Sequence, residues 1–203
     1  MIIRSFCLIC ALFVGVVNGQ EPIDGVDARS NAAEFAKQLG STDALVRQRS
    51  AEALARLAAT DQLKLVRGYH LQEKNKEVRL ALDWAMYRMG QPSTLYHIVQ
   101  ELDSGRQEQA VGYLSELESP NLLYPFLKKQ NNQPRINAGI LKALARIGDA
   151  QTLEIVKPFR ESHQSYVAEA AEIAHDEIEK RLTEVATPTR GRPRTVSASG
   201  DRP

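Results

Sequence analysis

Cysteine is almost absent from this 203-residue chain, and both copies, Cys7 and Cys10, stand within the first ten residues. Aromatic residues make up 6%, with a single tryptophan, and no apolar run reaches the roughly 20 residues that a bilayer-crossing helix needs. Charge of one sign is not in excess either, since 26 Lys+Arg face 25 Asp+Glu. These shortages exclude a disulfide-stapled mini-protein, a polytopic membrane protein and a domain whose whole surface grips nucleic acid through phosphate neutralisation. What remains is the composition of one ordinary globular domain, 43% hydrophobic and 25% charged, long enough to bury a core.

The two ends differ from the middle. Met1–Arg4 gives a basic start, residues 5–17 are an apolar run, and Val17-Asn18-Gly19 precedes a cleavage point, so residues 1–19 read as a secretory signal peptide. A lipid anchor at Cys10 would need a small residue before it, and Ile9 stands there. Cleavage removes both cysteines, leaving an exported chain, periplasmic or secreted, with no disulfide, no thiolate metal site and no cysteine nucleophile. Residues 20–29 read as a linker. At the other end, residues 183–203 are rich in Thr, Pro, Arg and Ser and read as a disordered tail. Residues 1–19 hold one arginine and no acid, and residues 183–203 hold four arginines against two acids, which leaves 21 basic and 23 acidic residues in 20–182.

Self-similarity organises the middle. Aligning the chain on Val46, Val78, Arg106, Ile136 and Val167 gives steps of 32, 28, 30 and 31 residues. Eight places after each anchor stand Leu54, Met86, Leu114, Leu144 and His175; eleven places after stand Leu57, Met89, Leu117, Ile147 and Ile178; seven places after stand Ala53, Ala85, Tyr113, Ala143 and Ala174. Offsets of 0, 4, 7, 8 and 11 form one helical stripe. Before each such helix lies another apolar-periodic segment, and short Gly-, Pro- or polar links such as Gly40–Asp43, Gly90–Pro92 and Gly148-Asp149 separate the pairs. No segment alternates apolar and polar residues for long enough to make a strand. A single hairpin cannot bury its stripe, so the expected fold is all-α: about five hairpins over residues 30–182 stacked into an α-solenoid.

The segments Asp43-Ala-Leu-Val-Arg-Gln-Arg-Ser-Ala-Glu-Ala-Leu-Ala-Arg-Leu57 and Ala143-Leu-Ala-Arg-Ile-Gly-Asp149 resemble HEAT repeats, in the short-period HEAT-like form first noted in phycobilisome lyases. The resemblance covers about residues 30–182. It implies a right-handed superhelix, second helices lining the concave face, an Asp-to-Arg contact between repeats, and a scaffold that binds other macromolecules. The third and fifth units carry Arg106-Gln107 and Val167-Ala168 in place of the Val-Arg pair, so that contact is not expected there.

Groups that could carry chemistry are few. Phosphate-loop, Gly-x-Ser-x-Gly, Ser-x-x-Lys and His-Glu-x-x-His patterns are lacking. HEAT-like di-iron hydroxylases use His-Glu pairs, whereas the four histidines here precede Leu71, Ile98, Gln164 and Asp176. Glu172 and His175 share one helix face, but a carboxylate-bridged metal site needs a second such pair. No catalytic residue, metal ligand or cofactor is therefore assigned. On the second helix of the second unit, Leu80, Trp84, Tyr87 and Arg88 lie off the core stripe, with the composition of a binding hot spot. The expected function is an exported, non-enzymatic interaction scaffold that receives a protein or peptide partner on this patch. One alternative is nucleic-acid binding through Arg190, Gly191, Arg192, Pro193 and Arg194, which resemble an AT-hook core. A second alternative is a HEAT-like enzyme or metal protein, either a bilin lyase or one centred on Glu172 and His175.

Overall fold

The computed structural model of the protein describes residues 24–127 and 133–186. Among the described residues it is all-helical, with ten α-helices and no strand: α1 (Asp24–Gln38), α2 (Ala44–Arg56), α3 (Leu63–Gln72), α4 (Lys76–Arg88), α5 (Leu95–Gln100), α6 (Gln107–Leu114), α7 (Tyr124–Leu127), α8 (Pro134–Ile147), α9 (Ala150–Val156) and α10 (Ser165–Ala186). Short 3₁₀ turns extend or precede the odd-numbered helices from α3 onward. Each odd-numbered helix packs against the even-numbered helix that follows it, giving five pairs. The even-numbered helices also pack in succession, α2 on α4, α4 on α6, α6 on α8 and α8 on α10.

Local chemistry fixes the ends of these helices. Asp43 caps α2 by accepting the Leu45 amide at 2.8 Å, and Asn75 caps α4 by accepting the Val78 amide at 3.0 Å. Asp149 and Thr152 form a reciprocal capping box at the start of α9. Helix α4 stops where Gly90 turns left-handed at φ 91°, with the Gln91 amide donating to the Met86 carbonyl and the Gly90 amide to that of Tyr87. Helix α2 ends the same way, except that Ala58 occupies the left-handed position at φ 46°.

Most of the expected stripe is core, although Leu57 is 38% exposed and Val46, Ile147 and His175 are half-buried. Leu54, Leu82, Ala110, Leu114, Ile140, Leu144, Ala171 and Ile178 are buried, and so are the small residues Ala53, Ala85, Ala143 and Ala174. At about 1.5–3 kcal/mol for each fully buried leucine or isoleucine, this continuous stripe is the main favourable term of the fold. The apolar surface is wider than the stripe, because an even-numbered helix inside the array touches its own partner helix and the helices of both adjoining pairs. On α4 the consecutive residues Leu80–Met86 are all buried. Close approach is built in at Gly139 of α8, where an added Cβ would come within 2.7 Å of the Leu102 side chain.

Charged side chains bind neighbouring pairs at the edges. Arg47 at the start of α2 donates from Nε and Nη2 to the Glu73 carboxylate at 2.7 and 2.9 Å and from Nη1 to the carbonyls of Ser41 and Thr42. Arg47 of the first Val-Arg pair thus bridges to the next unit, but its acceptor is Glu73, in the link before α4, instead of an aspartate. Arg181 of α10 reaches back to the carbonyls of Ala145 and Gly148 at 3.0 and 2.7 Å, satisfying the free carbonyl end of α8.

Both ends of the helical array lie farther out than the sequence suggested. Helix α1 begins at Asp24, inside the segment read as a linker, because residues 26–38 contain no glycine or proline to interrupt it. Helix α10 runs to Ala186, inside the segment read as a tail, up to the Thr187-Pro188 pair that disfavours helix. The leader 1–19 and the Arg190–Arg194 segment lie outside the described residues.

Candidate functional site

The proposed Leu80, Trp84, Tyr87 and Arg88 patch is not an open surface. Leu80 and Trp84 are 1% and 2% exposed, while Tyr87 and Arg88 are half-buried. The Trp84 ring stacks with Tyr87, 5.5 Å away and 14° off parallel, and with Tyr113 of α6, 5.5 Å away and 2° off parallel. Arg88 lies 5.6 Å over the same ring. The Tyr113 hydroxyl donates to Oε1 of Glu52 on α2 at 2.7 Å and accepts from Nε2 of Gln109. Burial, followed by this hydrogen bond to Glu52, pushes the Tyr113 hydroxyl far above the ordinary tyrosine range. The aromatic cluster is a seam joining three consecutive units, which is why an amphipathic aromatic set at helical spacing does not face solvent here.

An open surface occurs farther along the same side of the even-numbered helices. Six places after each anchor stand Glu52, Trp84, Gly112, Lys142 and Ile173. Trp84 is covered, whereas Ile173 is 52% exposed and Tyr166, two turns before it on α10, is 42% exposed. They border a groove between α6, α8 and α10 made of two adjoining cavities of about 500 and 480 Å³ that share Lys142 and Ile173. Its floor is apolar, formed by Val111, Ala138, Ala145 and Ala170. The α8 wall carries Arg135, Lys142 and Arg146, the α10 wall carries Glu169, Glu177 and, at its far end, Arg181, whose guanidinium is held by the Ala145 and Gly148 carbonyls, and α6 adds Glu108. Lys142 also reaches across to Glu108 of α6 at 2.9 Å, an exposed pair that contributes little to stability.

A second constellation sits between the second and third pairs. Asp83 of α4, with its side chain 8% exposed, lies beside two imidazoles: Nε2 of His70 from α3 is 3.1 Å from Oδ1, and Nδ1 of His97 from α5 is 3.4 Å from the same oxygen. They line a cavity of about 360 Å³ together with Lys76, Arg79 and Arg106. Arg106 is engaged by Glu101, its Nε donating at 2.8 Å. Sequence reading missed this cluster because its three members come from three helices and Asp83 lies off the repeating stripe.

The pair singled out on α10 does not converge. Glu172 accepts from Nε and Nη2 of Arg160 at 2.5 and 2.8 Å, which holds its carboxyl below the usual range. His175 instead faces Asp176 at 3.4 Å and Glu179 at 4.0 Å. These three groups lie on a single helix and both acids are exposed.

No family model matches the sequence, and no curated protein does. Among solved structures, the chain is similar to the crystal structure of an engineered protein, at 20% identity and a TM-score of 0.35, over 76% of this chain and 81% of that one. That likeness is too slight to carry an argument about fold or function.

Proposed function

We propose that the protein is an exported, non-enzymatic scaffold, a HEAT-like α-solenoid of five hairpins, whose α6–α8–α10 groove receives an amphipathic peptide segment of a partner protein. The pairwise order of the helices and the period of about 30 residues support the solenoid reading. The amino-terminal pattern of a basic start, a short apolar run and a small-residue end supports export.

The groove is the observation that carries the binding reading. Its apolar floor and the exposed Tyr166 and Ile173 offer side-chain burial, while the α8 wall is basic and the α10 wall carries Glu169 and Glu177, with Arg181 at its far end occupied by backbone carbonyls. A peptide that presents apolar side chains to the floor, acidic residues toward Arg135, Lys142 and Arg146, and basic residues toward Glu169 and Glu177 complements all three surfaces. This replaces the Trp84 patch as the docking surface, on the same side of the second helices but in the last three units.

Selection from a displayed peptide library against the purified protein, run in parallel on the Ile173→Asp variant, tests the reading. Enrichment of amphipathic peptides of this charge pattern on the wild type, lost on the variant, supports it. Equal enrichment on both proteins, or none on either, refutes it.

A further inference from the structure

We infer that the segment received by the α6–α8–α10 groove is itself an α-helix with large apolar side chains seven positions apart, an inference that rests on the groove being the docking surface. The lining repeats every seven residues on both helices that form most of it: Arg135 and Lys142, and Ala138 and Ala145, on α8, and Tyr166 and Ile173 on α10. Lys142 and Ile173 are shared by the cavities of about 500 and 480 Å³ and mark the boundary between them. One seven-residue step advances about 10.5 Å along a helix, in about two turns. A helix laid along the groove therefore fills both cavities from one face when its apolar residues keep that spacing.

The lining offers little to the backbone of an extended peptide. Most of it lies inside α8 and α10, where main-chain amides and carbonyls pair within the helix. The described residues form no strand, so no sheet edge is open to a peptide. Gln107, the carboxamide of the lining, already donates to the carbonyls of Leu102 and Arg135 at 3.0 and 3.2 Å. Over an apolar floor, a segment that pairs its own main-chain groups fits where an extended one leaves them unsatisfied. Charge sets the flanks of that helix. Among the described residues, Arg146 on α8 and Glu169 and Glu177 on α10 have no ion-pair partner, whereas Lys142 is engaged by Glu108 and Arg181 by backbone carbonyls. Acidic residues on the flank toward α8 and basic residues on the flank toward α10 meet those three open charges. At 1.5 Å per residue the walls run about 17 Å from Arg135 to Arg146 and about 23 Å from Tyr166 to Arg181, the length of a helix of about 11–15 residues.

The probe is a synthetic peptide of about 15 residues with two leucines seven positions apart, glutamates along one flank and lysines along the other. Two altered peptides accompany it, one of the same composition with the leucines five positions apart, on opposite faces, and one with a proline between the leucines. Each is titrated into the full-length protein by fluorescence anisotropy, with circular dichroism reporting helix gained on binding. The first peptide is expected to bind with a gain of helicity, and either alteration to weaken it at least about 10-fold. Ile173→Asp, at an exposed position, should leave the melting temperature unchanged and weaken the first peptide by a similar factor. Leu71→Asp, at an exposed position on α3, should leave its affinity as in the wild type. Undiminished binding by either altered peptide would overturn the helical inference and leave the groove reading intact. So would binding by none of the three while library peptides still bind the wild type and not Ile173→Asp. Binding untouched by Ile173→Asp, or no peptide of any kind bound, would overturn both.

Discussion

The indole of Trp84 and the phenol of Tyr113 lie 2° from parallel with ring centres 5.5 Å apart, one on α4 and the other on α6. Because the Tyr113 hydroxyl also donates to Glu52 on α2, one side chain couples three successive helix pairs. Trp84→Ala is expected to cost about 3–5 kcal/mol, as large-to-small changes in packed cores do. Tyr113→Phe, which keeps the stack and removes the hydroxyl, is expected to cost about 1 kcal/mol. Denaturant unfolding of the two variants checks both, and a near-zero cost for Trp84→Ala would show that the ring is a surface group.

Alkaline pH should expose the same seam. Burial raises the hydroxyls of Tyr113, Tyr87 and Tyr124 above the ordinary tyrosine range, most strongly at Tyr113. Unfolded tyrosines ionise near pH 10, so above that pH the unfolded chain releases protons that the folded chain retains. Stability is therefore full below about pH 10 and falls as the pH rises beyond it. Unfolding free energies measured between pH 8 and 11 should show this decline, and Tyr113→Phe should flatten it.

Two turns of identical hydrogen-bond pattern differ in one residue. Gly90 adopts φ 91° without penalty, whereas Ala58 holds φ 46° at the corresponding place after α2. A left-handed conformation costs an alanine about 1 kcal/mol relative to glycine. Ala58→Gly should stabilise the protein by about 1 kcal/mol and Gly90→Ala should destabilise it by a similar amount. Thermal unfolding of the two single variants settles the sign.

The extent to which the sequence already disclosed this arrangement differs between fold and site. The alignment on Val46, Val78, Arg106, Ile136 and Val167 identified every even-numbered helix, since the positions four and seven places after each anchor are all buried, although Leu57 and His175 farther along the stripe are not. It could not identify which off-stripe residues stay open. Trp84 and Ile173 occupy the same place in their units, yet Tyr87 and Tyr113 stack on the first and, among the described residues, nothing comparable covers the second. Exposure at that column depends on what the adjoining units contribute, which periodicity within one unit does not encode. His70, Asp83 and His97 were hidden for a related reason: convergence across three helices leaves no local spacing to recognise.

Export has a chemical signature. Cleavage after Gly19 would leave Gln20 as the first residue and remove Cys7 and Cys10. Amino-terminal sequencing of native protein from the exported fraction should begin at Gln20, and a thiol assay on unfolded protein should give zero. An intact Met1 with two titratable thiols would contradict export by cleavage.

The groove between α6, α8 and α10 is the proposed place where a partner segment binds. Titration of isotope-labelled protein with a selected amphipathic peptide, followed by chemical-shift mapping, tests it most directly. The largest perturbations are expected at Tyr166, Ile173, Val111 and Ala138, with the Trp84 ring unaffected. Perturbations gathered instead on the exposed leucines of α3, Leu65 and Leu71, would contradict it.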